Sequence, residues 1–221
     1  MAESISIEVW LVVWPPLSAA RRGAAGIGGH ADRRIGSAQF ACTDIDADVA
    51  TKIDRPLNWA QPFFLPDATD LHKVSDVLYR SAQPTAEGMQ NLKDLGIKTV
   101  ISLRAFRSDR DKMGSTGLGY EYIFMKNWHP EREDVVRFLK AANDPDRLPV
   151  LVHCQHGADR TGSMVAIYRV AVQGWNVQQA AQEMTNGGYG FHSVWVNLVP
   201  WLNTLDIEAV RREAGLQVPP Q

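Results

Sequence analysis

With 221 residues, 45% of them hydrophobic and 22% charged, the chain can bury one substantial core, so one catalytic domain with an extra segment beside it is expected. Its 23 basic and 25 acidic side chains nearly cancel, which argues against nucleic acid as the main partner and requires any anion recognition to be local. Two cysteines, Cys42 and Cys154, stand far apart in unlike contexts, so a disulfide framework is not expected and at least one thiol is left for chemistry.

The longest apolar run near the N-terminus, Val9 to Trp14, stops at Pro15-Pro16, far short of the roughly 20 residues that span a bilayer. No transmembrane helix and no stable membrane insertion are expected. Glu3 and Glu8 occupy the place of the positive region of a secretory signal, and neither Arg21-Arg22 nor Arg33-Arg34 is followed by an apolar stretch, so both arginine pairs read as a solvated tail. Cytoplasm and periplasm both stay open. Residues 15–50 are rich in Gly, Ala and Arg without period, a composition that buries too little to order itself. The expected organisation is a poorly ordered extension over 1–54, a catalytic domain over 55–214 and a short tail over 215–221.

Within the domain, Val77 to Tyr79 reads as a short strand, and Pro84-Thr85 caps a helix carrying Met89, Leu92 and Leu95 that stops at Gly96. Ile97 to Leu103 and Tyr120 to Met125 are continuous apolar runs typical of buried strands. The loop between them holds Arg104, Arg107, Arg110 and Lys112, diluted by Asp109 and Asp111, and reads as solvated rather than as an anion trap. Pro130 opens a helix with acids in its first turn and Val135, Val136, Phe138 and Leu139 on its buried side, broken by Asp144-Pro145. Pro149 to His153 is the next strand. Helices then follow from Arg160 to Val172, from Val177 to Met184, and from about His192 to Ala214, the last carrying Trp195, Leu198, Val199 and Leu202 as core residues. Strands alternating with helices predict an α/β fold with a mostly parallel central sheet of four or five strands flanked by helices.

The chemistry is concentrated between Val150 and Gly162. A buried strand, a tight loop and a helix start bring backbone N–H groups and the helix dipole onto one point, which suits a phosphate. A thiol there, Cys154, feels the same field, and its pKa is expected to fall from about 8.5 into the range of roughly 3.5 to 7.5 seen for activated cysteines. Arg160, six positions on, can return to the cup and grip two phosphoryl oxygens with its planar fork, which lysine cannot reproduce. Gly157 permits the dihedrals that turn amides inward, Gly162 lets the helix start close to the sheet, and the Thr161 hydroxyl is expected to donate to the cysteine sulfur. Gln155, His156, Gly157, Ala158, Asp159, Arg160 and Thr161 together form the expected substrate-binding loop.

His153, Cys154, Gly157, Arg160, Thr161 and Gly162 spell His-Cys-x-x-Gly-x-x-Arg-Thr-Gly, which resembles the signature of the protein tyrosine and dual-specificity phosphatases. Leu78 to Pro84, Ile101 to Arg104 and Gly187 to His192 extend the resemblance to a bacterial branch of small dual-specificity-like enzymes, over about residues 55–212. The resemblance implies the cysteine-phosphatase fold and a two-step reaction with no metal and no cofactor. Cys154 attacks phosphorus and water hydrolyses the phosphocysteine, while loop amides and Arg160 hold the transferring group. The branch often carries export signals.

One departure stands out. Where the family places an aspartate acid, about thirty residues before the cysteine, this chain reads Lys126-Asn127-Trp128-His129-Pro130-Glu131. Asp159 is the first candidate in its place, because Cys-x-x-Gly-x-Asp-Arg resembles loops in which such an Asp is a proposed acid; its plainer role is a loop-bracing hydrogen bond. Glu131 and Asp134 follow, with service to the helix dipole as their plainer role, then His129, while Asn127 and Trp128 suit a pocket wall. A metal site at His153, Cys154 and His156 lacks a fourth ligand, and His153 reads better as a loop anchor. Arg80 either touches phosphate or braces the loop. Tyr189, Phe191 and His192 suit either a turn at the site's mouth or a helix connection with core aromatics.

The leading substrate is a phosphorylated protein, phosphotyrosine with phosphoserine or phosphothreonine beside it. Asp159 next to Arg160 keeps a phosphoinositide or another non-protein monoester open as the alternative. A silent phosphate-binding module would usually have lost Cys154, and a sulfurtransferase or thiol redox enzyme has no need of Arg-Thr-Gly at this offset.

Overall fold

A computed structural model describes residues 55–216. The expected extension over 1–54, with its apolar run, arginine pairs and Cys42, lies outside the described residues, as do residues 217–221 of the expected tail.

Three short strands whose side chains are nearly all buried form the centre of the sheet: β3 (Leu78–Ser81), β4 (Thr99–Ser102) and β6 (Val150–His153). They run parallel, with β6 between β3 and β4, and β5 (Gly119–Tyr122) adds a half-exposed parallel edge beyond β4. Two two-residue strands, β1 (Gln61–Pro62) and β2 (His72–Lys73), continue the sheet antiparallel from β3, giving the order β1-β2-β3-β6-β4-β5. The expected mostly parallel centre is present, with four parallel strands and two short additions that carry too few residues to show a period in sequence.

Alternation along the strands separates two apolar layers. Val100 and Leu151, paired in register, belong to a cluster with Met89 and Leu92 of α1 (Ala86–Asp94) and Met113 of α2 (Arg110–Met113). Ile101 and Val152 face the larger layer, built from α3 (Arg132–Asn143), α4 (Asp159–Ala171), α5 (Val177–Asn186), α6 (Leu198–Thr204) and α7 (Ile207–Ala214). α4 is buried on nearly every side. The stops and starts follow local chemistry: the Thr85 hydroxyl accepts from Gly88 N–H at the head of α1, and Asn176 with Gln179 forms a capping box on α5.

The expected single helix from about His192 to Ala214 is three pieces: a 3-10 turn (Ser193–Trp195), α6 and α7. Pro200 has no amide to donate and is tolerated in the first turn of α6 rather than within a longer helix. Leu205 is extended, and the Asp206 carboxylate accepts from Ala209 N–H to start α7 afresh. Leu198 and Leu202 are core as expected, whereas Trp195 and Val199 are only partly buried. Gly162 also serves a different neighbour: a Cβ there would meet Met184 Cγ of α5 at 2.8 Å, so this glycine admits α5 rather than the sheet. Among the described residues no helix is long and apolar enough to cross a membrane.

The buried pair Arg169–Glu183 ties α4 to α5. Arg169 Nε donates to Glu183 Oε2 at 2.7 Å, and Glu183 Oε1 also accepts from Ala60 N–H at 2.6 Å. Removing one partner of a buried, hydrogen-bonded pair leaves the other charged and unpaired. Glu183→Ala is therefore expected to cost about 3–5 kcal/mol in urea unfolding, against less than about 1 kcal/mol for Glu213→Ala, whose pairing with Arg132 is solvent-exposed.

Candidate active site

Cys154 directly follows β6, at the carboxyl end of the parallel strands, and α4 begins five residues later. The loop between them is held by its carbonyls. His153 O accepts from Leu103 N–H, Cys154 O from the His153 ring, Gln155 O from Gln83 N–H, Gly157 O from Arg80 Nη2 at 2.6 Å, and Ala158 O from Gly162 N–H. Among the described residues, the amides of residues 155–160 have no protein acceptor. Carbonyls bound to the scaffold and amides left unpaired at a helix N-terminus make a loop that awaits an anion. Gly157 makes the turn possible: its φ is +74°, and a Cβ there would lie 2.7 Å from both Ala82 N and Ser81 O.

Arg160 returns to the same place. Its Nη1 donates to Leu103 O at 3.1 Å and Met125 O at 3.4 Å, the carbonyls just beyond β4 and β5. Nε is buried without a partner, and Nη2 has none among the described residues. One edge of the guanidinium is thus fixed by the scaffold while the Nε/Nη2 edge, the one that grips an oxyanion side-on, is free. Cys154 is a free thiol, 2% exposed, at the edge of a cavity of about 320 Å³ lined by Asn127, Cys154, Gln155, His156, Asp159, Arg160, His192, Val194 and Trp195.

The other expected residues divide between site and scaffold. Arg80 is fully buried beneath the loop as a brace. His153 anchors the loop as expected, its Nδ1 donating to Cys154 O at 2.9 Å. The hydrogen bond expected from Thr161 to the sulfur is not made, and Thr161 Oγ1 is buried without a partner. Glu131 is exposed at the head of α3, and Asp134, pushed up to about 6 by burial and by repulsion from Glu131, is buried in α3; neither lines the cavity. Asp159 does line it, with both carboxylate oxygens taken by His192, whose N–H donates to Oδ1 at 2.9 Å and whose Nδ1 lies 2.9 Å from Oδ2.

The open question over Tyr189 and His192 resolves both ways. Tyr189 is core, its ring centroid 3.5 Å from the Arg80 guanidinium carbon, while His192 stands at the mouth. Sequence reasoning missed Asp109, which sits in the supposedly solvated basic loop and is fully buried. It accepts from Ser102 Oγ at 2.6 Å and from Gln83 Nε2, with His153 Nε2 3.4 Å away. Its only signal in sequence was an acid among four basic residues. Trp195 was assigned to the core but lines the cavity. Among the described residues no group of three His, Cys, Asp or Glu is placed to hold a metal ion.

Two outcomes follow from this geometry. Gly157→Ala is expected to cost about 1–3 kcal/mol in stability and to abolish anion binding, read by denaturant unfolding and by protection of Cys154 from iodoacetate by phosphate. Burial holds His153 below the ordinary imidazole range, against the opposing pull of Asp109. The unfolded chain therefore takes up this proton first, and stability should fall as pH drops through about 6.5. Melting curves across that window should slope less for His153→Gln than for the wild type.

The family profile described as a DSP-PTPase phosphatase fused to NAD+ kinase matches residues 65–194. The dual specificity protein phosphatase TpbA of Pseudomonas aeruginosa is 35% identical over 167 residues, which cover 73% of each protein. A crystal structure of P. aeruginosa TpbA aligns with a TM-score of 0.64 at 32% identity, covering 72% of this chain and 98% of that one. A second TpbA structure, in complex with pTyr, gives 0.64 at 31%, covering 73% and 98%. The chain therefore belongs to the dual-specificity and tyrosine phosphatase superfamily, in its bacterial TpbA-like branch, and is a cysteine-based protein tyrosine/dual-specificity phosphatase.

Proposed function

We propose that Cys154 is the nucleophile, that the loop amides of residues 155–160 with the free edge of Arg160 hold the phosphoryl group, and that phosphotyrosine in proteins is the preferred substrate. The division of Arg160 into a fixed and a free edge carries this reading. A guanidinium already positioned for two oxygens loses little freedom when charge develops on the transferring group, which is where electrostatic stabilisation counts most. A thiol recessed at the edge of a cavity, with Val194 and Trp195 on its wall, suits an ester that projects its phosphate beyond an aromatic ring. TpbA, bound to pTyr in one structure, supports the choice of substrate.

In the first step Cys154 Sγ bonds to phosphorus as the ester oxygen departs; in the second, water displaces the sulfur and releases phosphate. Gln155, His156, Gly157 and Ala158 shape the cup between the two functional side chains, and Thr161 packs directly after it with its hydroxyl buried. Asp159 is the carboxylate of the cavity wall, and His192 occupies both of its oxygens.

Hydrolysis of a phosphotyrosine peptide, with EDTA present, tests the reading. Cys154→Ser should retain peptide binding and lose turnover, and Arg160→Lys should lower kcat/KM by about 10²–10³-fold, as loss of an oxyanion donor does. Turnover by Cys154→Ser equal to that of the wild type would sink it, and faster turnover of an inositol phospholipid than of the peptide would move the substrate to a non-protein monoester.

A further inference from the structure

The cavity holds one carboxylate, Asp159, and it is fully engaged. Asn127, which also lines the cavity, cannot supply a proton, and its buried Oδ1 has no partner. The side chain that Asp159 engages does have a transferable proton. His192 binds Asp159 through its backbone N–H and through Nδ1, which together fix both the loop and the ring. With Nδ1 donating to a carboxylate, Nδ1 keeps its hydrogen in the neutral and in the charged ring alike, so the proton that comes and goes is on Nε2. Nε2 has no partner among the described residues, and the ring, 46% exposed, lines the cavity that contains Cys154.

The backbone is built to hold that ring in place. Gly188 and Gly190 adopt φ values of +76° and +74°, and Tyr189 between them is buried against Arg80, the same side chain that holds Gly157 O. The loop bearing His192 and the loop bearing Cys154 thus share one internal anchor. The charged and titratable groups that line the cavity with the ring are Asp159 from α4, His156 at 5.4 Å between ring centroids, Cys154 and Arg160.

We infer that His192 is the proton carrier of the reaction, oriented by Asp159 as its positioning residue. The inference rests on the reading of Cys154 as nucleophile and deepens it. As the Sγ–P bond forms and the P–O bond breaks, the Nε2 proton passes to the departing oxygen, which leaves as the alcohol. Water then bonds to phosphorus, the S–P bond breaks to return the thiolate, and the proton lost by water goes to Nε2. The ring is restored and the balance is one ester and one water to one alcohol and one phosphate.

The test compares kcat/KM, which reports expulsion of the leaving group, for phenyl phosphate and 2,4-dinitrophenyl phosphate with wild type, His192→Gln, His192→Ala and Cys154→Ser. His192→Gln should lose about 10²–10⁴-fold on phenyl phosphate, whose leaving oxygen needs a proton, and less than about tenfold on the dinitrophenyl ester, whose oxygen does not. Added imidazole should restore phenyl phosphate hydrolysis to His192→Ala, which a purely structural histidine would not allow. Equal losses on both esters, or no rescue by imidazole, would overturn the assignment while leaving the nucleophile in place. Turnover by Cys154→Ser would overturn the cysteine reading, and this assignment with it.

Discussion

The buried Arg80 guanidinium is the interaction on which the rest of the site depends. It lies with no solvent exposure under the Cys154 loop, donates to Gly157 O at 2.6 Å and stacks on Tyr189. Burial pulls it below its ordinary range, and the opposing attractions of Tyr189, Asp70, Glu183 and Cys154 offset part of that cost. Several kcal/mol of desolvation are accepted for one buried cation. In return, a single side chain fixes both the loop that carries the thiol and the loop that carries His192.

The same economy runs through the backbone. A loop that is to bind an anion must turn its amides toward the ligand, which obliges its carbonyls to find partners elsewhere. Here those partners come from every side: Leu103 N–H beyond β4, Gln83 N–H beyond β3, the His153 ring from β6 and Arg80 from β3. Asp109 accepts from the Gln83 side chain, whose backbone N–H holds Gln155 O, so a buried acid in the β4–β5 connection supports a phosphate cup it does not touch. Such preorganisation lets the loop meet developing charge without rearranging, at the expense of positions such as Gly157 that tolerate no other residue.

Much of this chain was legible before its structure. The strand–loop–helix carrying Cys154 and Arg160 has local determinants: a buried apolar strand, a glycine in the left-handed region and a helix start, all within thirteen residues of sequence. The parallel sheet followed from strands alternating with helices, and the start of α1 followed from its capping residue. The expected single C-terminal helix failed because Asp206 caps a new helix and Pro200 limits the old one, effects that a periodicity of Trp195, Leu198, Val199 and Leu202 cannot reveal.

Composition and motif by themselves determined the family chemistry, because a thiol and a guanidinium six residues apart on one tight loop need no distant partner to be recognised. Tertiary structure alone decided what surrounds them. Asp109 became a buried brace, Arg80 a loop anchor rather than a phosphate ligand, and Asp159 the partner of His192, thirty-three residues away in sequence. Each of these roles is a pairing between side chains that strand order and helix packing bring together, and the type of a residue does not encode which distant group will come within 3 Å of it.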